Sequence, residues 1–230
     1  MMDFLQDKDF IELEKEYGFL KRARDTIESK HGELGKLSYV IVDLETTGLD
    51  PVTDEIIEIG ALKVVNGAIK DVFNRLIKPE RPLPPNITGI TGITPDMLES
   101  ELPIKPVLSK FIDFAGDNIL VAHNADFDTA FLRNNAKKWL GMGLNNLVVC
   151  TLLISRDILP NLNNHKLDTV AKYFQIDISN RHRAIGDVEL TYQAWLKFMD
   201  KLKDKGILTR KDLETYVSTL SSQAGSKAPL

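Results

Sequence analysis

The chain is almost without cysteine. Cys150 stands alone among 230 residues, which excludes an intramolecular disulfide and suits a reducing compartment. It also lacks an excess of positive charge: Lys and Arg number 29 against 33 Asp and Glu, for a formal net charge of -4. That is not the basic footprint of a protein that coats long nucleic acid. It leaves open a protein that grips only a strand end, because bound metal ions would offset local negative charge. No apolar run reaches transmembrane length. The opening residues, Met1-Met-Asp-Phe-Leu-Gln-Asp-Lys8, carry charge too early for a signal-peptide core. The expectation is a cytoplasmic protein that does not enter a membrane. What is present, 43% hydrophobic residues, suffices for one sizeable core.

The pattern along the chain divides into three parts. Residues 1–36 read as an N-terminal helical extension, with Phe10, Leu13, Tyr17 and Leu20 on one stripe, followed by a polar linker from His31 to Lys36. Residues 37–204 carry the main domain. Tyr39–Val42 is a β-branched, apolar strand, and Glu55–Val65 and Ala68–Ile77 flank Asn66-Gly67 as a hairpin. Pro79–Pro95 reads as a proline-rich loop, and Thr94-Pro95 opens a short helix. Then strands and helices alternate. Asn118–Ala122 and Leu147–Cys150 are apolar strands, each followed by a helix, which favours parallel pairing with helical crossovers. A long helix covers Ala184–Lys203 with Val188, Trp195, Met199 and Leu202 on one face. Residues 205–230 form a final helix, opened by a capping box at Thr209-Arg-Lys-Asp212, and a frayed tail.

Chemistry concentrates where these elements end. Asp43 and Glu45 follow the first strand two residues apart, so both project from one face. Like charges held that close repel, and a divalent cation with oxygen ligands between them is the simplest resolution. Asp128 begins a helical stripe with Phe131, Leu132, Asn135 and Trp139, where a carboxylate is costly unless paired or metal-bound. Asp187 lies in the first turn of the long helix, five residues after His182. Each has an ordinary reading too: a solvated turn for Asp43 and Glu45, a helix cap for Asp128, polar surface for His182. Together they fit one chemistry, in which two divalent ions held by the four acids clamp a phosphodiester and its attacking water. His182, with an imidazole reference pKa near ~6.5, is suited to take the proton from that water.

At these residues the sequence resembles a family. Asp43-x-Glu45-Thr-Thr-Gly48, His123-Asn-Ala-x-Phe-Asp128-x-x-Phe-Leu132 and His182-x-Ala-x-x-Asp187 look like the three motifs of the DEDDh 3′–5′ exonucleases. The likeness is to their DnaQ-like branch, which includes the epsilon proofreading subunit and the PolC-type exonuclease domain. It covers about Leu37 to Lys203. The resemblance implies an α/β, ribonuclease H-like three-layer fold with a mixed five-stranded sheet flanked by helices. It implies Asp43, Glu45, Asp128 and Asp187 as ligands of two Mg²⁺ or Mn²⁺ ions and His182 as general base. Thr46, Thr47, Gly48 and Leu49 are then expected to contact the terminal nucleotide, partly through backbone amides, while Asn124 and Phe127 support the site. The substrate so implied is a DNA 3′ end, single-stranded, released as nucleoside 5′-monophosphates. A polymerase partner is expected through the terminal helices. Two other readings stay open: a 3′–5′ exoribonuclease, and a non-catalytic polymerase-binding module. Arg183 is read as a solvated flank or a phosphate contact, and Trp139 and Trp195 as core.

Overall fold

The computed structural model describes residues 31–177 and 183–225. The predicted N-terminal helices over residues 3–30, His182 and the end of the tail lie outside the described residues. Helix α1 is Gly32–Gly35, and strand β1, Tyr39–Thr46, runs through both motif carboxylates rather than ending before them. Strands β2 (Ile56–Val65) and β3 (Ala68–Leu76) form the hairpin. Its turn uses positive φ at Asn66 (51°) and Gly67 (73°), as a tight two-residue connection requires. Helices α2 (Pro85–Thr91), α3 (Pro95–Leu98) and α4 (Ile104–Ala115) lead to β4 (Ile119–Ala122) and α5 (Ala125–Leu140). Strand β5 (Val148–Cys150), α6 (Thr151–Ile158), α7 (Leu167–Tyr173), α8 (Ala184–Asp204) and α9 (Arg210–Gly225) complete the described chain.

The five strands form one sheet in the order β3-β2-β1-β4-β5. β1 pairs antiparallel with β2 and parallel with β4, so the meander and the crossovers join in one mixed sheet. Alternation along β1 divides the core. Tyr39 and Ile41 join the cluster built with α6 to α9, and Val40, Val42 and Leu44 join the cluster built with α4 and α5. Three layers result, helices on both faces of a buried central strand. Tyr39 meets Trp195 of α8 edge to face at 5.5 Å between ring centroids.

Two readings of local structure change. The proline-rich stretch contains α2, with Pro85 at its first position and Gly92 closing it at φ 72°. Proline there removes only an amide that has no helical partner, so a run that looks helix-averse starts one. The stretch His31 to Lys36 is not merely a polar linker: Leu34 and His31 are buried, and His31 Nδ1 lies 2.8 Å from Asp200 of α8. Trp195 is core as expected, whereas Trp139 is half-buried under the Lys138 ammonium.

Candidate active site

Asp43 and Glu45 extend the Tyr39–Ile41 face of β1, the face on which α8 packs. The first turn of α8 brings Asp187 to them. One carboxylate oxygen from each of Asp43, Glu45 and Asp187 lies within 4.8 Å of the others. Asp128 arrives from the opposite layer in the first turn of α5, only 3% exposed, and accepts a hydrogen bond from the Leu44 amide. Burial first, then the charges of Glu45 and Asp187, push its carboxyl from the ordinary 3.8 up to about 8. A carboxyl at that position resists ionising until positive charge joins the cluster. The four acids, from two strand positions and two helix starts, therefore converge, and their oxygen-only donor set fits hard divalent cations.

The loop after β1 is braced from within. The Thr46 hydroxyl donates to the Gly48 carbonyl at 2.6 Å, and the Thr47 hydroxyl accepts the Glu55 amide at 2.9 Å. The Thr47 amide donates to the Glu55 carbonyl. These groups shape the turn, whereas the Leu49 side chain, 83% exposed, projects from it. At Gly48 an added Cβ would displace the Asp54 carboxylate, which accepts the Asp50 amide at 2.9 Å. Asp54 is a supporting residue the sequence reading passed over.

Asn124 precedes α5 in the left-handed region, φ 68°, a conformation Asn tolerates better than most residues. Its side chain makes no cap bond, and Phe127 stacks at 4.9 Å against Phe131 of the core. Both thus lie at the start of the helix that carries Asp128. His123 is tied by Nδ1 to the Thr151 hydroxyl at 3.0 Å and by Nε2 to the His165 carbonyl at 2.9 Å, which orients this loop. His165 in turn meets the Ser155 hydroxyl at 3.0 Å, with its imidazole held below its usual pKa chiefly by burial.

Arg183, one residue beyond His182, is more than a solvated flank: it is paired with a buried acid, with 39% of its side chain still exposed. Its guanidinium grips Glu58 of β2, with Nη2 at 2.7 Å from Oε1 and Nε at 3.0 Å from Oε2. The sequence reading missed Glu58. Its polar position within an apolar strand was the available signal, and the partner could only come from the fold.

The residues from 40 to 195 match the family model described as Exonuclease. The chain is 41% identical over 179 residues to a DNA polymerase III PolC-type from Caldanaerobacter subterraneus subsp. tengcongensis, covering 78% of this chain and 13% of that protein. It is 42% identical over 184 residues to the PolC-type polymerase of Bacillus subtilis, covering 80% and 13%. The chain thus spans only about an eighth of these relatives. A solved structure of Exonuclease X in complex with 5′ overhanging duplex DNA aligns with TM-score 0.59 at 26% identity, covering 71% of this chain and 92% of that one. The matched domain, the ribonuclease H-like sheet and the acids gathered at its edge have one meaning: the chain belongs to the DEDDh 3′–5′ exonuclease family, enzymes that cut nucleic acid at its ends.

Proposed function

We propose that this enzyme hydrolyses the terminal phosphodiester at a DNA 3′ end, preferring single strands, and releases nucleoside 5′-monophosphates. The observation that carries the reading is the convergence of Asp43, Glu45 and Asp187 within 4.8 Å, with Asp128 buried beside them. These residues would hold two Mg²⁺ or Mn²⁺ ions. When bound, such ions supply charge stabilisation for the phosphate and a more acidic attacking water.

The protein's own groups do the rest. Asp128 and Asp187 approach from opposite layers of the sheet and fix the donor set on both sides of β1. His182 takes the proton from the attacking water, which its pKa range suits. Leu49 meets the terminal base from the exposed edge of a turn that Thr46, Thr47, Gly48 and Asp54 keep rigid. Asn124 and Phe127 hold the start of α5.

The PolC-type relatives favour proofreading during DNA replication as the setting, in the cytoplasm and alongside a polymerase. Helix α9 turns its apolar side onto its own domain, so the N-terminal extension is the better candidate for a polymerase contact. We treat residues 37–204 as the catalytic domain between two appendages.

Digestion of 5′-labelled single-stranded DNA with Mg²⁺ or Mn²⁺, with and without chelator, tests the reading. A chelator-sensitive ladder shortening from the 3′ end is expected, with a matched RNA oligomer cut more slowly. Absence of that ladder with either metal would refute the enzyme reading, and faster RNA cleavage would move the substrate to RNA.

A further inference from the structure

We propose that Glu58 is a positioning residue for the exonuclease centre, acting through Arg183 on the first turn of α8. The inference rests on the metal-dependent reading of the acids. Glu58 is 0% exposed, the third residue of β2, and stands in direct register with Glu45 of β1. A carboxylate there faces the same side of the sheet as the metal-site acids and would be repelled by them without compensation. Three donors fix it from the start of α8: Nη2 and Nε of Arg183, the residue just before the helix, and the Ala184 amide at 3.1 Å.

This clamp does more than neutralise a buried charge. The Arg183 carbonyl accepts the amides of Gly186 at 2.9 Å and Asp187 at 3.2 Å. A chain of bonds therefore runs from Glu58 through the Arg183 peptide to the backbone of Asp187. Gly60, two residues along the same face and in register with Asp43, permits the approach. An added Cβ there would lie 2.6 Å from the Ala184 carbonyl carbon. Helix α8 thus starts flush against the sheet beside the acids, and Glu58 is the group that locks it there.

The test uses the full chain as wild type, Glu58→Gln and the neutral pair Glu58→Gln/Arg183→Gln. Steady-state cleavage of a single-stranded oligonucleotide is measured beside calorimetric titration with Mn²⁺ and thermal unfolding. Glu58→Gln is expected to lower kcat about 10- to 100-fold with KM within about two-fold, because geometry rather than strand binding is lost. It is also expected to weaken Mn²⁺ binding about 5-fold or more through a less firmly held Asp187. The double variant should lose no more than the single, since the two residues act as one unit. If Glu58→Gln does not fold, the double variant carries the same expectations. A folded variant with kcat and Mn²⁺ affinity both within two-fold of wild type overturns the proposal, as does a change confined to KM. A wild type that binds Mn²⁺ but cuts nothing defeats the exonuclease reading alone, and the Mn²⁺ titration then still decides the role of Glu58.

Discussion

At the scale of single residues, Asp128 has the clearest consequence. Its carboxyl titrates at about 8 in the folded protein without metal, against 3.8 ordinarily. Across that window the folded state holds a proton that the unfolded chain has released, so stability falls as pH rises from about 4 towards 8. In chelator, the melting temperature of the wild type should therefore drop between pH 5 and pH 8. Asp128→Asn should remove most of that slope, raise the melting temperature at pH 8 by several °C, and cut activity by about 10³-fold or more. A wild-type melting temperature that stays flat with pH in chelator would refute the assignment of the shift. Asp128 was legible because an acid on an apolar helical stripe is anomalous in one dimension. Glu58 was not, because its partner lies 125 positions away in sequence. Only the β1–β2 register shows that it stands opposite Glu45.

At the scale of elements, periodicity recovered the strands and the longer helices, because one buried face dictates a period of two or 3.6. It failed at α1 and α2, which are short and owe their existence to tertiary contact: Leu34 inserts into the α8 cluster, and Ile87 into a small cluster with Ile57, Ile93 and Leu98. The close seating of α8 on β2 was equally invisible, since a glycine in a strand announces only that something comes near. That seating predicts a contrast between two glycines. Gly60→Ala should destabilise by about 1–3 kcal/mol through overpacking and lower kcat as the start of α8 shifts. Gly89→Ala in α2 meets nothing within 4 Å and should stabilise by about 0.5–1 kcal/mol through helix propensity. Chemical denaturation with parallel rate measurements checks both, and equal effects at the two sites would contradict the packing argument.

At the scale of the whole molecule, the sheet separates two tasks by its two ends. The acids gather where β1 ends and α5 and α8 begin, while α9 packs on α6 and β5. Arg210, at the start of α9, lies near enough to Tyr39 to act on its hydroxyl, and Tyr39 opens β1. Asp43 and Glu45 sit four and six residues further on, roughly 13–20 Å away at strand rise. Leu213, Val217 and Leu220 of α9 are buried in the α8-side core, and Tyr216 donates to Asp157 of α6 at 2.6 Å. Sequence alone left this helix undecided between packing and partner binding, because an apolar side has the same pattern in both cases. The fold assigns that side to the domain, and removal of the helix tests the assignment. Truncation before Thr209 should remove three buried apolar side chains, whose burial is worth about 1.5–3 kcal/mol each, and uncover the core they pack on. At about 2–4 °C per kcal/mol for a chain of this size, the melting temperature should fall by roughly 10–35 °C. Because the acids lie at the far end of β1, the truncated protein should still cleave with kcat within about two-fold at 15 °C. A truncated protein that keeps its melting temperature would return α9 to the role of a partner surface. One that stays folded but loses cleavage would show that the two ends of the sheet are coupled.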